Sequence, residues 1–171
     1  MKQLINLGAL LASLIVCKAS QALPDDLTKP LNIQANKAFG DRKIGQVTYQ
    51  GDVVVKQGSI EIQAQSVEAT PDSKTRKFSK LVATSSPVKF SQQIDWNGSM
   101  LISRGDRMNY MVTDKKLEIF GNGFLNRMDN KIMADYILYH IDTGTFKAQK
   151  KGSRRVSMTL QPADNTNDKE K

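Results

Sequence analysis

Hydrophobic and polar residues alternate along most of this 171-residue chain, most sharply between residues 47 and 69. There Ile60 and Ile62 alternate with Glu61 and Gln63, the period-two signature of a strand with one buried face. The stretch predicts three short strands, 47–50, 52–57 and 60–69, with Gly51 and Gly58-Ser59 as breaks and a further break near Ala64. Strand-like sequence starts at Asn32 and continues to Leu160 without sustained i, i+3, i+4 apolar spacing, so almost no helix is expected. Residues 23–31 form an irregular lead-in, because Pro24 and Pro30 lack the backbone donors a strand needs. The tail 162–171 contains no large apolar residue and is expected to be disordered.

The strands repeat. A small residue followed by a polar one opens four units, at Ala35-Asn36, Ala64-Gln65, Gly105-Asp106 and Ala134-Asp135, spaced 29, 41 and 29 residues apart. Met108 and Tyr110 align without a gap on Ile137 and Tyr139, and turns at Asp114-Lys115-Lys116 and Asp142-Thr143-Gly144 follow. The longer unit carries its extra residues at 71–80 and 92–99, where Asn97-Gly98 is a hairpin signal. The pattern predicts an all-β fold, one elongated antiparallel stack of about sixteen short strands sharing a continuous core over residues 23–161.

The first 22 residues alter the picture. Met1-Lys2, an apolar run over 4–16 and small residues at Ser20 and Ala22 describe a secretory signal cleaved after Ala22. As a helix the apolar run rises only about 20 Å, short of the roughly 30 Å hydrocarbon core of a bilayer. Cys17 follows Val16, not the small residue a lipidation site requires, and leaves with the signal. The remaining chain then has no cysteine, so strand pairing and packing must supply its stability. Its charge is +6, from 23 basic and 17 acidic residues. Basic clusters stand at Lys74/Arg76/Lys77/Lys80 and Lys147/Lys150/Lys151/Arg154/Arg155. For an exported protein such clusters point away from nucleic acid and toward an anionic glycolipid, a membrane surface or an acidic protein face, unless they are simply solvated surface.

Catalytic chemistry finds little support. His140 is the single histidine, with no cysteine to join it on a metal, and no nucleophile elbow or phosphate-binding loop occurs. No catalytic residue, metal ligand or cofactor is assigned. What remains is an apolar face: Val47, Tyr49, Val53, Val55, Ile60, Ile62, Val67, Val88, Phe90, Ile94, Trp96, Met100, Ile102, Met108, Tyr110, Leu117, Ile119, Phe124, Ile132, Ile137 and Tyr139 share the inward phase, with Val112, Ile141 and Phe146. Each fits an ordinary core residue. Five of the seven methionines lie between residues 100 and 133, and with only six Phe and one Trp the interior is lean enough to admit a guest.

The motifs Ile33-x-Ala35-Asn36, Tyr49-x-Gly51-Asp52-Val53-x-Val55-x-Gln57-Gly58-x-Ile60-x-Ile62-x-Ala64 and Gly105-Asp106-x-Met108-x-Tyr110, behind a signal segment, resemble the LptA/OstA family of periplasmic lipopolysaccharide transport proteins of Gram-negative bacteria. The resemblance covers about residues 28–160. It implies an elongated twisted antiparallel β-jellyroll, two sheets in an open V, whose apolar interior holds the acyl chains of lipid A. It also implies a periplasmic carrier that binds lipopolysaccharide and assembles head to tail with itself. One end would meet an inner-membrane-anchored bitopic subunit and the other the N-terminal domain of an outer-membrane translocon. The alternatives are the anchored subunit itself, a structural or adhesive secreted β-scaffold, and a secreted hydrolase.

Overall fold

The computed structural model describes residues 26–162, apart from 42, 44, 76, 153 and 154 and the side chain of residue 27. The predicted signal segment, nearly all of the tail, Arg76 and Arg154 lie outside the described residues. Among the described residues a 3-10 turn, Asp26–Thr28, leads into ten strands: β1 Asn32–Gln34, β2 Lys37–Asp41, β3 Gln46–Gln57, β4 Ile60–Pro71, β5 Phe78–Gln93, β6 Met100–Met111, β7 Lys116–Arg127, β8 Asn130–His140, β9 Phe146–Gln149 and β10 Ser157–Thr159. Strands β3 to β8 pair with their chain neighbours, as short antiparallel connections allow. Both β1 and β2 pair with β3, and both β9 and β10 pair with β8.

Gly58-Ser59 turns the chain as expected, but Gly51 does not interrupt it: β3 runs straight through. Instead each of β3 to β8 carries a register shift near its middle, at 50–53, 63–66, 84–88, 104–107 and 120–123 and opposite 134–136. An inserted residue bends a strand and sharpens its twist. Because the bulges lie side by side, they form a crease across the whole sheet. The small-plus-polar pairs that anchor the sequence repeat sit on this crease, and Ala35-Asn36 separates β1 from β2 at the same level. Polar side chains bridge it, with Asn36 Nδ2 donating to Asp52 Oδ2 at 3.3 Å and Asn122 Nδ2 to Asp106 Oδ2 at 2.9 Å.

The crease divides six long strands in two, and with the four short edge strands this makes sixteen segments in two half-sheets. The first half-sheet holds β2, β9 and the Val47, Val67, Leu81, Tyr110, Leu117 and Tyr139 segments; the second holds β1, β10 and the Val55, Ile62, Phe90, Leu101, Leu125 and Ile132 segments. Their inner faces meet. Phe90 pairs with Ser103 on β6, seven residues or about 23 Å from Tyr110 along an extended strand. Nevertheless the Phe90 and Tyr110 rings touch edge to face, centroids 5.6 Å apart, which requires the sheet to fold over at the crease.

The crease also corrects the inward phase. In β6, Leu101 and Ser103 point inward before the bulge and Met108 and Tyr110 after it. Counting back by twos from Met108 places Met100 and Ile102 inside; the bulge reverses that, and both are exposed, at 37% and 42%. In β7 two successive residues with positive φ, Gly121 (67°) and Asn122 (48°), occupy the crease. There odd numbers stay inward on both sides, so Phe124 faces out, its ring under the Arg104 guanidinium at 4.6 Å. Trp96, 56% exposed, lies in the turn between β5 and β6, beside the tight Asn97-Gly98 reversal. Phe146 is inward in phase but exposed, because β9 is an edge strand with no further strand beside it among the described residues.

Candidate functional site

The folded sheet brings most of the predicted apolar face together. Val53, Val55, Ile60, Ile62, Val67, Val88, Phe90, Ile94, Met108, Tyr110, Leu117, Ile119, Ile132, Ile137 and Tyr139 join one buried cluster, while Val47 and Tyr49 are half-buried next to edge strand β2. Leu81, Ala83, Leu101 and Leu125 belong to the same cluster, although the alternation alone does not single them out. Their signal is present but hidden, since Leu101 and Leu125 share the inward face with Ser103 and Gly123, which are too small to mark the phase. Over most of its length the inner face is closed on itself, with Val55, Val67, Ile119 and Ile137 wholly inaccessible to solvent.

It opens at the mouth, the edge opposite the crease where the two half-sheets end. There a cavity of about 770 Å³ is lined by Thr28, Lys29, Leu31 and Gln57 on one side and by Asp72, Thr75, Lys77, Phe78, Leu81, Val112 and Thr113 on the other. Its floor (Leu31, Phe78, Leu81, Val112) is apolar and continuous with the core, against which Leu31, Phe78 and Val112 pack. Its rim is polar and carries two lysines, so an elongated apolar group can enter while a polar or anionic head stays at the rim. The volume falls within the range of about 300–1,000 Å³ typical of sites for drug-sized molecules.

Local chemistry holds this mouth in shape. Asp72 accepts hydrogen bonds from the amides of Lys74 (3.0 Å) and Thr75 (2.7 Å), fixing the turn between β4 and β5. The bonds from Thr75, then that from Lys74, hold its carboxyl below the usual range. In the core beside Leu81, burial pushes the Tyr110 phenol well above its ordinary value, and the nearby charge of Asp26 adds to the effect. Asp26 is the one carboxylate buried among the described residues. No set of three or more His, Cys, Asp or Glu that would hold a metal occurs among the described residues. His140 sits at the end of β8 beside the turn into β9, away from the cavity lining. Of the first basic cluster, Lys77 reaches the cavity; of the second, Lys151 lies over the Tyr136 ring at 4.1 Å.

Residues 32–145 match the family described as LptA/(LptD N-terminal domain) LPS transport protein. The chain is 33% identical to the lipopolysaccharide export system protein LptA of Haemophilus influenzae over 165 residues, 95% of each chain. It is 26% identical to LptA of Escherichia coli K12, covering 93% of this chain and 86% of that one. The crystal structure of LptH from Pseudomonas aeruginosa, described as the LptA-homologous periplasmic component of a lipopolysaccharide transport device, superposes with a TM-score of 0.74 at 25% identity, covering 81% of this chain and all of that one.

Proposed function

The chain belongs to the LptA/LptD N-terminal-domain family of lipopolysaccharide transport proteins, and on that premise we propose that its creased sheet carries the acyl chains of lipopolysaccharide across the periplasm. The protein is a lipopolysaccharide export component. The observation that carries the finer reading is the cavity at the mouth, an apolar floor continuous with the core under a rim bearing Lys29 and Lys77. Exposing one twelve-carbon acyl chain to water costs roughly 9 kcal/mol, at about 0.8 kcal/mol per methylene. A lipid moving from cavity to cavity avoids that barrier. Entry exchanges contacts between the two inner faces for contacts with the guest, apolar for apolar, so separating the half-sheets around several chains changes the apolar area in water little. Such a site binds without trapping, as handover from carrier to carrier requires.

Handover needs neighbours. The chain ends its sheet in two open edges, β1 with β2 and β9 with β10, on opposite sides of the fold. Open edges invite strand addition, and different edges joining head to tail build a filament that need not close. Phe39 on one edge and Phe146 and Met158 on the other are exposed apolar residues placed for such contacts. The partners would be further copies of the chain, a membrane-anchored subunit of the export system at one end and the outer-membrane translocon's N-terminal domain at the other. A photo-crosslinker at Leu81 or Val112 in living cells should capture lipopolysaccharide, and one at outward-facing Ile102 should not. Equal capture at all three positions, or none at the cavity, would overturn the carrier reading.

A further inference from the structure

Asp26 is buried to within 4% of its surface, yet among the described residues no cation pairs with it. Its carboxylate instead accepts three hydrogen bonds from neutral donors: the Ser59 amide (2.6 Å) and the Ser59 hydroxyl (2.8 Å) at the β3–β4 turn, and Gln92 Nε2 (2.9 Å) near the end of β5. Burying a carboxylate is costly unless its hydrogen bonds are complete, so a broken latch would leave little to hold Asp26 inside. The turn is shaped around it. Gly58 has φ +60°, and a Cβ there would strike Asp26 Oδ1 and approach its Cα at 2.9 Å. Three residues on, the Lys29 carbonyl accepts from Gln57 Nε2 at 3.0 Å, and Leu31 then lays its side chain into the cavity floor.

Residues 26–31 therefore form a strap. The bonds that the Asp26 carboxylate and the Lys29 carbonyl accept all come from the second half-sheet, whereas the opposite cavity wall, Phe78, Leu81 and Val112, belongs to the first. Through Asp26 and Lys29, then, the strap is tied to one lip of the mouth. It precedes β1, so it can leave without breaking a strand pairing.

We propose that Asp26 is a positioning residue whose carboxylate pins the 26–31 strap as one wall of the lipid site, so that strap release sets the rate at which an acylated, phosphorylated glycolipid enters and leaves. This rests on the carrier reading. The strap contributes Thr28, Lys29 and Leu31 to the lining, and releasing it widens the cavity toward a guest with several chains. Entry and exit share the same opening, so the latch governs both rates and the affinity much less.

The test uses the full exported chain and a fluorescent lipid A exchanging between protein and micelles, with hydrogen exchange read residue by residue. Asp26→Ala should raise the entry and exit rates about tenfold each while changing the affinity less than about threefold. Protection should fall at the Ser59 amide but remain at Val55, Ile119 and Ile137. Asp26→Glu should restore part of the effect, and Ser59→Ala, which removes one donor, should give a smaller acceleration in an intact fold. Unchanged rates despite an unprotected Ser59 amide would overturn the strap's role and leave the carrier reading standing. So would acceleration seen only together with lost protection at Ile119 and Ile137. Failure of the unsubstituted chain to take up lipid A at all would overturn the carrier reading, and the strap's role with it.

Discussion

Ile62 and Gln63, neighbours on β4, face opposite sides of the sheet: the first is buried in the core and the second is exposed. Ile62→Asp puts an unpaired charge among apolar side chains and should lower the free energy of unfolding by about 3 kcal/mol or more. Gln63→Lys, which keeps a partner for Glu61, should change it by no more than about 0.5 kcal/mol. Urea titration separates the two, and equal losses would mean that the faces of β4 are wrongly assigned. Tyr110 gives a pH dependence. Its phenol is raised first by burial and then by the charge of Asp26, so the folded chain holds the neutral form more tightly than the unfolded chain does. That contribution is complete below the ordinary phenol value near pH 10 and is lost as pH climbs toward the folded value. Tyr110→Phe should therefore lessen the alkaline fall in stability by up to about 1.4 kcal/mol per pH unit above pH 10. Unfolding curves at stepped pH measure this, and an unchanged slope would count against it. Tyr139, also raised by burial though opposed by Arg127, keeps part of the fall in place.

The strands carry the family's architecture in their edges and their bulges. At the edges, β2 exposes Phe39 while β9 and β10 expose Phe146 and Met158. Open edges that expose apolar side chains can pair with another chain, although Lys37 and Asp41 on β2 and Lys147 on β9 place charges among them. Placing charge at one edge alone should break a head-to-tail contact without touching the cavity. Phe146→Lys combined with Met158→Lys should weaken self-association at least tenfold in sedimentation velocity, with lipid A binding per subunit retained. Undiminished association would show that copies meet elsewhere. The bulges are legible in part. Ala64-Gln65, Gly105-Asp106 and Ala134-Asp135 stand out as a repeated motif of a small residue before a polar one, but sequence spacing reads them as the start of a unit. In the fold they mark its middle, the level at which each strand bends. Simple alternation counted back from Met108 puts Ile102 on the wrong face for this reason: whether parity reverses at a bulge depends on how many residues it absorbs. β6 and β7 absorb different numbers, and β7 keeps its parity, so Phe124 stays outside while Leu117, Ile119 and Leu125 lie inside.

At the scale of the whole molecule, one hydrogen-bonded sheet closes on itself like two leaves on a hinge, and everything proposed for the protein happens at the open margin. The cavity draws its lining from residues 28–31, 57, 72–81 and 112–113, stretches that sequence order keeps far apart. Alternation, turn residues and the shortage of helical spacing were enough to determine an all-antiparallel chain, its turns at Gly58-Ser59 and Asn97-Gly98, and most but not all of the inward set, because these follow from period-two geometry acting between near neighbours. The face on which Met100 and Ile102 lie, the contact of Phe90 with Tyr110 and the latching of Asp26 onto Ser59 and Gln92 were decided only by tertiary structure. Each depends on aligned bulges folding distant segments together, and no local pattern encodes an angle that six strands set jointly.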